Sequence, residues 1–183
     1  MSPDAPGIVE FQLYLLRTMK PPEHLLAHAL DRLGRTEEEM QNAADVISRA
    51  LRPQLGPAEP VTTIADFLQT TLSGARLPRP GGDREFYRIP LWKELIFEAS
   101  FEYSGRIIKQ AKFTRNPLHK PPGGEAEAWD FLEEDLPRRF TEIQEIDEWG
   151  HYRTYLVRTP ESGDVFFLRF AWGVLQQIEP VVG

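Results

Sequence analysis

The first 80 residues place apolar side chains at helical spacing in successive segments. The second segment starts after two prolines and stops at Gly34, and the third opens with Thr36 and Glu39, the pattern of a capping box. The pattern predicts about four helices in an N-terminal helical region over residues 1–80, at segments 7–19, 21–34, 36–51 and 62–74.

Beyond residue 80 the pattern changes to alternation with a period of two. Segment 94–103 alternates apolar with mostly polar residues, Ser104 and Gly105 suit a tight turn, and segment 106–115 returns. This predicts a hairpin with Glu94 opposite Arg115 and Phe101 opposite Ile108. A short strand precedes it near residues 85–90.

The remaining pattern predicts a helix at 125–136 and strands at 140–148, 151–159 and 165–178. The fold class is therefore α+β, with the helical segment followed by an antiparallel sheet of five to six strands and one inserted helix, in the order β-β-β-α-β-β-β. The glycine- and proline-rich segment 75–84 is the predicted boundary between domains 1–80 and 81–183. The alternative is one continuous compact unit.

Composition narrows the class of protein. Seventeen of the 20 aromatic residues follow residue 80, which predicts the main core in the second half. The absence of cysteine excludes disulfides and thiolate metal sites, and the net charge of −7 disfavours nucleic acid and anionic membranes. Without a signal-peptide pattern or an apolar run of about 20 residues, a cytoplasmic protein is expected. No cofactor is predicted.

Acids and a histidine crowd into residues 145–158. If Trp149 and Gly150 form the hairpin turn, Glu148 faces His151, with Arg153 one pair further along the same face. An acid–imidazole pair can carry acid–base chemistry, so these three are the candidate catalytic residues. The alternative is a solvated cross-strand ion pair, and a register change of one residue would reverse the assignment.

Two other groups are weaker candidates. His24, His28 and Asp31 share a helix face at the spacing of a metal chelate, but equally suit a polar surface. His119 and Lys120 lie in a proline-rich loop that is long for a compact domain, and long loops often carry function.

These observations favour a non-enzymatic, acidic protein-binding module of the chaperone, adaptor or inhibitor type. An acidic surface suits a partner with a basic surface, and sheet edges permit strand addition. The element order helix–three strands–helix–strands is similar to that of small acidic secretion chaperones. A homodimer is a further possibility for the assembly. The alternative function is a small-molecule-binding or hydrolase- or isomerase-like protein with an apolar pocket under a curved sheet, using Glu148 and His151.

Overall fold

The computed structural model describes residues 6–52, 63–78, 83–120 and 126–181. The helices are α1 Ile8–Met19, α2 Glu23–Leu33, α3 Glu37–Ala50, α4 Ile64–Thr71 and α5 Leu136–Arg139. The strands are β1 Arg84–Tyr87, β2 Leu95–Glu102, β3 Ile107–Arg115, β4 Glu142–Trp149, β5 Tyr152–Arg158, β6 Val165–Ala171 and β7 Val174–Pro180.

The four predicted N-terminal helices are confirmed, and local signals explain their bounds. At the start of α3, the Glu39 amide donates to Thr36 Oγ1 at 3.2 Å and the Thr36 amide donates to Glu39 Oε2 at 2.8 Å. Gly34 ends α2 with a φ of 61°, a conformation that glycine adopts without strain. Residues 79–82 of the predicted boundary lie outside the described residues.

The strands form two antiparallel sheets, so the α+β class is confirmed but the single sheet is wrong. Sheet A has the order β1-β2-β3 and sheet B the order β4-β5-β6-β7. The strand predicted at 165–178 is a hairpin, because Trp172 and Gly173 turn the chain with φ of 54° and 78°. The described part of the chain therefore has seven strands instead of the predicted five to six.

The turn between β6 and β7 joins the two sheets. The Phe113 amide in β3 donates to the Trp172 carbonyl at 2.7 Å. A Cβ atom at Gly173 would lie 3.1 Å from the Phe113 carbonyl oxygen, so this close approach requires glycine.

The inserted helix is later and shorter than predicted. A 3-10 turn at Glu133–Asp135 leads into the four-residue α5. The preceding residues instead run along β7, where the Trp129 amide donates to the Leu175 carbonyl and the Leu175 amide donates to the Phe131 carbonyl, each at 2.9 Å. Backbone hydrogen bonds with a strand distant in sequence therefore override the helical periodicity of this segment.

The hairpin of β2 and β3 follows the prediction near its turn only. Phe101 lies opposite Ile108, as expected. A register shift between Ser100 and Phe101 then places Leu95 opposite Arg115, where the prediction placed Glu94.

Among the residues that the structure describes, two clusters of buried side chains form the core. The first joins α1 to α4 with sheet A, with Ala171 and Val174 of sheet B, and with Trp172 of the turn between them, and it includes the edge-on ring contact of Phe11 with Phe97 at 5.4 Å. The second lies on one face of sheet B and consists of Phe131, Leu136, Val157, Leu168, Phe170 and Leu175. The first cluster draws on both halves of the chain. The division into two domains at residue 80 stays a prediction.

Candidate functional site: the edge strand of sheet B

Three of the four sheet edges have backbone partners along part of their length. The Leu77 amide donates to the Phe86 carbonyl and the Arg88 amide to the Ala75 carbonyl, which covers β1. Residues 129–133 cover β7, and β3 bonds to the β6–β7 turn. Within the described ranges, the outer edge of β4 has neither a strand nor an isolated bridge beside it.

All eight residues of β4 are exposed to solvent. Four of them are acidic, namely Glu142, Glu145, Asp147 and Glu148. Three are large and apolar, with exposed fractions of 39% for Ile143, 49% for Ile146 and 74% for Trp149. Charges and a bulge protect a sheet edge from unwanted pairing, but exposed isoleucine and tryptophan do not. The exposed apolar side chains make β4 the candidate functional site.

The register of β4 and β5 corrects the predicted acid–histidine pair. Trp149 lies opposite Tyr152 and Glu148 opposite Arg153, so the turn is Gly150–His151 and not Trp149–Gly150. Glu148 and Arg153 form an ion pair, as adjacent side chains on one face. Because the turn is shifted by one residue, His151 lies in the turn and not opposite Glu148. A change of register by one residue has this effect in any strand pair.

His151 belongs to a contact with the end of α1. Its ring stacks on Trp172 with centroids 4.3 Å apart, and its Nε2 lies 3.1 Å from the Thr18 carbonyl oxygen. The Tyr152 hydroxyl donates to the same carbonyl, and Trp172 Nε1 donates to Thr18 Oγ1 at 2.9 Å. This set of bonds, the Thr18 contact, satisfies a carbonyl that the helix end leaves without an intrahelical partner.

Burial lowers the pKa of His151, while the hydrogen bond to Thr18 opposes this shift. The unfolded chain therefore takes up a proton at higher pH than the folded chain. The neutral imidazole contributes stability that is fully present above the unfolded pKa of about 6.5 and is lost as the pH falls below it.

We expect wild type to lose more unfolding free energy than His151→Gln between about pH 7.5 and 5.5. Glutamine keeps a donor for the Thr18 carbonyl but does not titrate. Urea unfolding at both pH values measures the difference, and His119→Gln at an exposed position is the control. Equal pH dependence in wild type and His151→Gln would show that His151 is not held neutral.

Acidic charge also accumulates beside β4. Arg153 Nη1 lies 3.8 Å from Glu133 Oε2, so one guanidinium serves both Glu133 and Glu148. Burial raises the pKa of Glu133, and the nearby Arg153 opposes this. Burial, reinforced by Glu133 and Glu145, raises the pKa of Tyr155 to about 12. Glu133 and Glu148 therefore share one arginine on this face.

Two acids of β4 remain without a cation. Glu142 pairs with Arg158 at 3.0 Å and Glu148 with Arg153, but Glu145 and Asp147 form no ion pair with any described residue. Asp147 lies opposite Thr154 and Glu145 opposite Tyr155. The edge strand consequently presents uncompensated negative charge.

The other predicted candidates lie apart from this strand. His24, His28 and Asp31 are exposed on α2, and no group of three or more His, Cys, Asp or Glu side chains in the described parts of the chain is placed to hold a metal ion. His119 and Lys120 are exposed, with the His119 amide donating to the Asn116 carbonyl at 2.8 Å. Residues 121–125 of the same loop lie outside the described residues.

The described residues line clefts on sheet B, of which two lie near its edges. One of about 540 Å³ is lined by apolar Phe140 and Phe166 together with charged Arg138. The other, of about 280 Å³, adjoins the start of β4. Neither is lined by Glu148 or His151. The alternative of a pocket that uses these two residues stays a prediction.

Models of protein families, curated proteins and solved structures were compared with the chain, and none of them matches it. The described helices include none that is both long and apolar enough to cross a membrane.

The sequence did not identify Ile143, Ile146 and Trp149 as candidate functional residues. The signal that could have found them is the mixture of acidic and apolar residues within one strand.

Proposed function

We propose that this protein binds another protein by adding an extended, basic segment of its partner to the outer edge of β4. The observation that carries the proposal is a sheet edge that no strand of the described residues covers and whose own eight residues are all exposed. In such strand addition, main-chain hydrogen bonds supply affinity and side chains on alternate faces supply specificity.

The charge of the edge supports a basic partner. Glu145 and Asp147 have no cation among the described residues, and like charges placed opposite each other destabilise a strand pair. Antiparallel pairing of β4 with β4 of a second copy would bring two such acidic strands together. A segment rich in lysine or arginine would instead complement them.

The apolar side chains support a lasting contact over a purely electrostatic one. Trp149 is 74% exposed, and its ring lies nearly parallel to that of Tyr152, at 12° and with centroids 6.5 Å apart. Aromatic residues are enriched at the centres of protein interfaces, where their burial contributes much of the binding energy.

Reversing the two uncompensated charges should strongly weaken partner binding. We expect Glu145→Lys/Asp147→Lys to reduce capture of the partner from native-cell lysate by at least about tenfold, since each reversal turns a favourable cross-strand pair into a repulsive one. Quantitative mass spectrometry of material retained by the tagged protein measures the reduction. The thermal unfolding curve of the variant should match that of wild type, because both side chains are exposed.

The matched control is Glu94→Lys/Glu161→Lys. It changes the net charge by the same amount at exposed positions outside β4. A partner retained equally by the β4 variant, the control variant and wild type would place the binding surface elsewhere and overturn the proposal.

A further inference from the structure

The register of β4 specifies the sequence pattern of the partner segment as well as the sign of that segment's charge. Building on the proposed function, we infer that the bound segment contains two consecutive basic residues, each separated by one residue from an apolar one. The six-residue frame is apolar–any–basic–basic–any–apolar.

The bulge in β4 determines the two consecutive basic positions. On β5, the neighbours Thr154 and Tyr155 lie opposite Asp147 and Glu145, because Ile146 is an extra residue in β4. Consecutive residues of a strand point to opposite faces, so Asp147 and Glu145 also do. A regular strand added to the outer edge of β4 would likewise place two adjacent residues opposite Asp147 and Glu145. Basic side chains at these two adjacent positions would face the two carboxylates.

The apolar positions follow from the ends of the same strand. Ile143 shares a face with Glu145 and lines the cleft of about 280 Å³ together with Leu156 and Val165. Trp149 shares the other face with Asp147. The residue facing Ile143 is two positions from the one facing Glu145, and the residue facing Trp149 is two positions beyond the one facing Asp147.

The two remaining positions make weaker demands. They face Gln144, which is uncharged, and Glu148, which is already paired with Arg153. The complete frame reads the same in both directions. It therefore holds whether the partner strand runs parallel or antiparallel to β4.

The test uses the full chain, labelled with nitrogen-15, and two capped peptides of identical composition. The first contains Leu-Thr-Lys-Arg-Thr-Leu, and the second contains Leu-Lys-Thr-Thr-Arg-Leu, in which the basic residues are separated. We expect the first to shift the amide signals of residues 142–149 and to bind about tenfold more tightly than the second. Glu145→Gln and Asp147→Asn should each weaken the first peptide by about two- to fivefold, and Glu161→Gln should leave it unchanged.

The possible failures of this experiment are distinguishable. Equal binding of both peptides at residues 142–149 would overturn the frame and leave the proposed basic partner in place. If neither peptide shifts these signals at concentrations of about 2 mM, both the frame and the proposed function are overturned. Signals that move only outside β4 would likewise overturn both.

Discussion

A chain that lacks residues 1–80 is expected to lose its cooperative unfolding transition. The first core cluster joins side chains of α1 to α4 with those of sheet A, and across this junction the Phe11 ring of α1 contacts the Phe97 ring of β2 at 5.4 Å. Exposing about five such large side chains costs about 10 kcal/mol, which equals the whole net stability of a typical domain.

Near-ultraviolet circular dichroism and urea unfolding of residues 81–183 measure this effect. Addition of a separate 1–80 fragment should restore the transition, since it returns the missing side of the core. A sharp transition from residues 81–183 alone would instead establish the two-domain division that the segment 75–84 predicts.

Arg115→Met is expected to destabilise the protein by about 3–5 kcal/mol, because it removes the buried cation of Asp135 and leaves only the exposed Arg138, 3.8 Å from this carboxylate. Arg115 Nη2 lies 2.7 Å from Asp135 Oδ2, with exposed side-chain fractions of 9% and 5%. The same nitrogen donates to the Asp130 carbonyl at 2.9 Å, and Asp135 Oδ2 accepts the Leu132 amide at 3.1 Å. The pair thereby ties β3 of sheet A to the turn that precedes sheet B.

Differential scanning calorimetry should show this loss as a decrease in Tm of about 10 °C. The double variant Arg115→Met/Asp135→Leu should recover part of it, because no buried charge then stands alone. The control is Arg84→Met in the more exposed pair with Glu98, which should change stability by less than about 1 kcal/mol. A similar Tm for Arg115→Met and Arg84→Met would contradict the buried pair's role.

Elements with local signals could be predicted from the sequence. The capping box of Thr36 and Glu39 and the left-handed Gly34 lie within one turn of the helix ends that they define. The turn at Trp172 could not be predicted in this way, because the side chains that hold it in place come from parts of the chain distant in sequence. Its indole donates to Thr18, which is 154 residues away, and its ring stacks on His151. The sequence of segment 165–178 alone does not show that Trp172 contacts these two residues.

The candidate site was only partly predictable for a related reason. The acidic charge of residues 142–148 is readable in the sequence, and so is an edge available for strand addition. Which strand forms that edge depends on the neighbours of every other strand, and the bulge at Ile146 depends on the pairing with β5. His151 therefore entered the predicted site on spacing alone, although its contacts lie with α1.

The Thr18 contact has a consequence for the free-energy cost of the proposed strand addition. His151 and Tyr152 fasten the tip of the β4–β5 hairpin to a buried helix, and Arg153 ties the neighbouring part of β4 to Glu133. The strand is thus ordered before a partner arrives, so that association need not immobilise it. The conformational entropy lost on binding then falls mainly on the incoming segment, and a rigid partner strand should gain the most affinity.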